Sequence, residues 1–178
     1  MSRDTFTRIP SEKQRHILDI AMREFAGNGF HKANINTIAA KAGISIGAMY
    51  KYFSSKEDLF LETLRLGTGF LNDTYSAVSR EPGDPFVKIR SVFTRALDYA
   101  REHPHALKLY LSLISSGMDD FAARYAHTIE EVGHTSLKKI VQDGVRDGYI
   151  REDLDMDAAI LFLDNHLKIG RASCRERV

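Results

Sequence analysis

The sequence of 178 residues predicts an all-α protein, with a three-helix N-terminal head containing a helix-turn-helix, then a helical bundle truncated at its C-terminus. Three observations carry this. Apolar residues recur at i, i+3, i+4, i+7 spacing through most of the chain. Capping and stopping residues (Ser, Asn, Asp, Gly, Pro) fall between those stretches. No apolar/polar alternation long enough for a strand occurs. A composition 43% hydrophobic and 10% aromatic, without tryptophan, is ample for a helical core, and the length admits one or two compact units.

The first helix is expected to open at Pro10-Ser11-Glu12-Lys13-Gln14, with Ser11 and Gln14 as a capping box. Ile17, Ile20, Ala21 and Phe25 form its apolar face, Gly27-Asn28-Gly29 stops it, and Phe30 plugs the core beyond. Asn34 then caps a short helix whose inward stripe is Ile35, Ile38, Ala39 and Ala42. Gly43 sits where a helix ends best in a left-handed residue, Ile44 anchors the turn, and Ser45 caps the next helix. In that helix Met49 and Phe53 share an inward side, while Gly47, Ala48, Tyr50 and Lys51 lie on other faces.

This is the grammar of a helix-turn-helix, whose second helix can enter the major groove of DNA. Small residues at Gly47 and Ala48 let the backbone approach a phosphate or base edge, and Lys51 supplies charge. Tyr50 and Tyr52 offer flat rings with hydroxyls for phosphate or base contact. A plain pair of packed helices with exposed tyrosines would satisfy the same spacing. After it, Ser54-Ser55-Lys56-Glu57-Asp58 opens another helix with acidic residues in its first turn, where Lys56 can help grip a phosphate.

The head resembles the TetR family of bacterial transcriptional regulators. The motifs are Ile17-Leu18-Asp19-Ile20-Ala21, Phe25-Ala26-Gly27-Asn28-Gly29-Phe30 and Ile38-Ala39-Ala40-Lys41-Ala42-Gly43-Ile44-Ser45. The pattern closes with Gly47, Tyr50, Tyr52, Phe53, Lys56, Glu57 and Leu59. The match is dense over residues 11 to 62 and architectural beyond. Carried over position by position, it implies DNA contacts from Asn34, Ser45, Ile46, Gly47, Ala48, Tyr50, Lys51, Tyr52 and Lys56. Position 46 departs from the family, which often has a polar or basic residue there. Ile46 cannot make a bidentate base contact but can pack on a thymine methyl, which leaves the base preference at that step open.

Charge follows the same division. Residues 1–60 carry nine Lys/Arg against six Asp/Glu, a net of +3 that favours a phosphate backbone. Residues 61–168 carry thirteen against seventeen, a net of −4.

Beyond the head, a long helix is expected from about Lys56 to Ser79, broken at Glu81-Pro82-Gly83. Asp84-Pro85 starts the next, with Phe86, Ile89, Val92, Phe93, Ala96, Leu97 and Ala100 as its apolar stripe. His103-Pro104 resets the chain, Ser115-Ser116-Gly117 makes a turn, and Met118 to Asp147 is one amphipathic helix. Of that helix, Phe121, Tyr125, Ile129, Val132, Leu137, Ile140 and Val141 are expected to face in. Gly148 to Asp155 is a loop, and Asp157 to Leu167 begins a last helix. Lys168 to Val178 breaks that helix's rhythm. Read back into codons, it fits a common sequencing-library adapter running into a stop, so it is left out of the fold. Cys174, the one cysteine, falls in this tail, which leaves neither disulfide nor redox site in the rest.

The expected division is a DNA-binding domain at 8–62, a ligand-binding and dimerisation domain at 63–167 and the foreign tail at 168–178. In the family, the helices after the head form an effector pocket and a homodimer interface. Here Phe70, Leu71, Tyr75, Phe93, Leu97, Tyr110, Ile114, Phe121 and Tyr125 are candidates to line an apolar cavity, and plain core packing is the alternative for each. Dimerisation suits a palindromic operator in double-stranded DNA, read by two helices one turn apart. With its last helix cut after Leu167, the chain is expected to dimerise less well than a full-length relative.

No membrane-length apolar run or signal-peptide core occurs, which predicts a cytoplasmic protein. No nucleophile elbow, phosphate loop or zinc-protease motif occurs, so neither enzyme activity nor a cofactor is expected. For His103 and His105 around Pro104, and His127 and His134 further on, a metal site would need converging ligands; a solvated pair at a helix start is the simpler reading, and no metal is expected. The reading is a ligand-responsive transcriptional repressor responding to an unnamed small-molecule effector. The alternative is an all-helical carrier or enzyme containing a helix pair that does not bind DNA.

Overall fold

A computed structural model describes residues 2–115, 120–160 and 162, giving the backbone alone for 2–4, 71, 112–115, 120–130 and 132. All its regular elements are helical, as predicted: α1 Ser2–Thr7, α2 Ser11–Lys32, α3 Ile35–Lys41, α4 Ile46–Tyr52, α5 Lys56–Arg80, α6 Pro85–Glu102, α7 Pro104–Ser115 and α8 Asp120–Arg146. A further helix opens at 156, where Asp155 Oδ1 accepts from Ala158 N at 3.0 Å. Residues 116–119 and 163–178, which hold most of the predicted turn after Ser115 and the whole tail, lie outside the described residues.

Local chemistry explains most boundaries. Asn34 Oδ1 accepts from Asn36 N at 2.8 Å and Ser45 Oγ from Ala48 N at 3.1 Å, so both caps form where the sequence placed them. Gly43 joins the two helices at φ 66°, and Gly29 bends α2 at φ 72° before Phe30 turns inward. The α2 start differs from the prediction. Pro10 occupies the cap position with no side-chain bond, and Gln14 Nε2 reaches backwards to Ile9 O (2.8 Å) and Thr7 O (3.3 Å). Gln14 therefore fastens α1 to α2 instead of closing a capping box. The sequence reading missed α1 altogether.

The chain divides into two compact units, one of residues 1–69 with 102–125 and the other of residues 70–101 with 126–178. In the first, α2, α3, α4 and the start of α5 enclose Ile17, Phe25, Ile38, Met49, Leu59 and Phe60, all essentially inaccessible. Phe60 meets Phe25 edge-on at 4.9 Å and Phe30 at 5.1 Å. Packing against α7 is close enough that a Cβ at Gly67 would come 3.3 Å from Met22 and 3.6 Å from Ala106.

In the second unit Val78, Val92 and Ile140 form a buried cluster flanked by Tyr75 and Ile89. The expected stripe of α6 is split by this packing. Pro85, Lys88 and Val92 are buried, whereas Phe86, Phe93 and Leu97 are exposed at 60%, 41% and 58%. The seven apolar positions form a band wider than one packed face can cover, and the line through residues 85, 88 and 92 is the covered one.

Candidate nucleic-acid interface

Each functional side chain of the head is placed by the caps and the core beneath it. Met49 and Phe53 are buried as expected and fix α4 on α3, with Phe53 N donating to Met49 O to end the helix. This turns Ile46, Gly47, Tyr50 and Lys51 outwards, with Ile46 40% and Tyr50 54% exposed. Ala48 is half-buried, and Asn34 and Ser45 are exposed while committed to their capping bonds. The outer face of α4 thus presents a backbone bare at Gly47, one apolar contact, one phenol and one cation, a set suited to groove and phosphate contact.

Two predicted contact residues sit in unexpected surroundings. Tyr52 is only 9% exposed, its ring lying 5.8 Å from that of Phe6. Phe6, itself buried, also packs on Phe53 at 4.6 Å. The Tyr52 ring is therefore core between α1 and α4. Lys56 donates to His31 O at 2.9 Å, and its ammonium lies 5.0 Å from the centre of the Phe30 ring. From the first position of α5 it braces the last turn of α2, beyond the Gly29 bend.

A buried carboxylate lies behind this face and was missed from the sequence. Glu24, 7% exposed, accepts from Asn28 Nδ2 (2.8 Å), Asn34 N (3.4 Å) and Lys41 Nζ (3.3 Å). Burial pushes its carboxyl up, but the bonds from Asn28, Lys41 and Asn34 outweigh that and hold it below the usual carboxylate value. Asn28 is a helical i, i+4 neighbour, but a Glu to Lys spacing of seventeen residues carries no helical pairing signal, so nothing local announces the ion pair.

The candidate ligand-lining residues fall on both compact units. Phe70 stacks on Tyr99 at 4.3 Å, and Tyr75 flanks the Val78 cluster. Phe93 and Leu97 are exposed on α6, and Tyr110 is half-buried on α7. The side chains of Leu71, Ile114, Phe121 and Tyr125 lie outside the described residues. An open cleft of about 620 Å³ between α2 and α5 is lined by Arg15, Leu18, Glu62 and Arg65 among others, and includes none of the nine. Among the described residues, no three His, Cys, Asp or Glu side chains are grouped to hold a metal, and no helix is long and apolar enough to cross a membrane.

Residues 17–63 match the model of the bacterial regulatory proteins of the tetR family. The chain is 32% identical over 146 residues to the HTH-type transcriptional repressor SCO4008 of Streptomyces coelicolor, covering 82% of this chain and 71% of that one. It is 29% identical over 155 residues to the HTH-type transcriptional repressor KstR2 of Mycolicibacterium smegmatis, covering 86% and 75%. Its fold is similar to that of the transcriptional regulator FadR of Bacillus subtilis, solved in complex with stearoyl-CoA. The TM-score is 0.73 at 22% identity, over 92% of this chain and 89% of that one. The capped helix pair, the outward face of α4 and these relatives together establish that the chain belongs to the tetR family and is a DNA-binding transcriptional regulator, not an enzyme.

Proposed function

We propose that the chain is a cytoplasmic, ligand-responsive repressor that reads a palindromic operator as a homodimer. The observation that carries this is the outer face of α4, where Ile46, Gly47, Tyr50 and Lys51 stand free on a helix capped by Ser45 and seated by Met49. Asn34, Ser45, Ala48, Tyr52 through its hydroxyl and Lys56 complete the contact surface. A net of +3 over residues 1–60 supports the phosphate contacts. Residues 8–62 act as the DNA-reading domain and 63–167 as the part that binds effector and partner subunit. Repression is supported by the names of the relatives, and an apolar effector by the acyl-CoA complex of a protein of similar fold. Phe70, Tyr75, Phe93, Leu97 and Tyr110 are the described candidates for its site, with Leu71, Ile114, Phe121 and Tyr125 beside them in sequence. Effector binding lowers DNA affinity by favouring a state in which two α4 helices no longer match successive grooves.

The test is duplex binding across a salt series, using a palindrome enriched by the wild-type chain from random sequence. Tyr50→Ala is expected to remove most of the preference for that palindrome. Lys51→Ala is expected to weaken all duplexes and to reduce the salt slope by about one. Binding that ignores both substitutions contradicts the proposal, as does a wild-type chain that binds no duplex.

A further inference from the structure

We infer that Glu24 is a positioning residue for DNA reading: its buried carboxylate ties the bend of α2 to both ends of α3, the helix against which α4 rests. The inference deepens the proposed DNA-reading role and rests on it for its binding test.

An acid in a DNA-reading head opposes phosphate, so a carboxylate held there calls for a local cause. Glu24 touches no surface from which DNA could be read, being 7% exposed. Its three partners are instead spread along the path that orients the motif. Asn28 is the last residue before the left-handed Gly29, Asn34 is the N-cap of α3, and Lys41 is the final residue of α3. One side chain thus holds the bend, the entry and the exit of one short helix.

That helix is short. α3 is seven residues long, roughly two turns, and buries only Ile38 and Ala39 within its span. These apolar contacts, with Ala33 and Ala42 buried at its flanks, resist separation from the core but resist rotation about the helix axis poorly, because apolar packing is non-directional. Hydrogen bonds are directional, and those to a carboxylate are the stronger kind. A polar tie at both ends of α3 therefore sets its roll. The roll sets where α4 points, since Gly43 and Ile44 join the two helices with one turn and Ile44 N donates to Ala39 O at 3.1 Å.

Glu24→Gln keeps the shape and one acceptor but sets an amide against Lys41. In the 178-residue chain it is expected to lower affinity for the enriched palindrome by about tenfold, the coupling usual within one hydrogen-bond network. Affinity for random-sequence duplex is expected to stay within about twofold, with an unchanged salt slope, because no phosphate contact is lost. Lys41→Met should then cost less palindrome affinity in the Glu24→Gln background than in the wild type. Amide exchange, which needs no DNA, should quicken across residues 33–53 while α5 keeps its protection. Equal losses for palindrome and random duplex with faster exchange throughout the head would show a merely structural role and overturn the inference. So would unchanged exchange and affinity, or strictly additive effects of the two substitutions. If the wild type binds no duplex, the proposed function fails, and the exchange pattern alone still decides whether Glu24 holds α3.

Discussion

Gly43 and Gly27 are both surrounded by open space, since a Cβ built on either meets nothing within 4 Å, yet the same substitution should act on them with opposite sign. Gly43 holds φ 66°, a region that costs an L side chain about 1–2 kcal/mol. Gly27 lies in α2 with no positive φ, where alanine restricts the unfolded chain and gains about 0.5–1 kcal/mol. Gly43→Ala is therefore expected to lower the denaturation midpoint and Gly27→Ala to raise it. Urea titration of the two variants checks this, and a shared sign would show that backbone conformation is not what the turn glycine supplies. Caps and turn glycines were legible in the sequence because their partners lie within a few residues: Asn34 with Asn36, Ser45 with Ala48. The ties from Glu24 to Asn34 and Lys41, and from Lys56 to His31, were not legible, because those partners lie ten to twenty-five residues away and enter only through tertiary packing.

At the scale of elements, the head is more than the helix-turn-helix and its support. The short α1 carries too few residues for a periodic signal, and its one buried ring, Phe6, finds its partners in Tyr52 and Phe53 at the far end of α4. α1 is therefore a strap over the reading helix, and Gln14 fastens the same end of it, through Thr7 and Ile9, that carries Phe6. Phe6→Ala should release it. The expected cost is about 2 kcal/mol, below that of a Phe→Ala change in a closed core, because a terminal helix can undock instead of leaving a cavity. Faster amide exchange at residues 5–7 and 52–53, with residues 17–25 unaffected, is the measurement. Exchange unchanged at 52–53 would show that α4 does not depend on the strap. The α6 stripe is the counterpart on which sequence misleads at this scale. Periodicity named seven apolar positions, but only the packed neighbours decide which edge of so broad a band is covered.

For the whole molecule, class and family were legible because the head's motifs are local and dense, whereas the effector site was not. Aromatic residues at helical spacing fit core and cavity equally well, and the nine candidates are distributed over both compact units. The division of labour across the chain, a basic reading head followed by an acidic helical remainder, agrees with the charge pattern and makes the head the part whose chemistry can be tested first. The central claim is that the outer face of α4 reads base pairs. Its most direct test is parallel selection from a random duplex pool with the wild-type chain and with Ile46→Arg. The account predicts that both enrich a two-fold symmetric sequence, and that only the base pair beneath position 46 changes in each half-site, towards the guanine that arginine recognises. No enriched sequence with the wild type, or identical sequences from the two proteins, would contradict it.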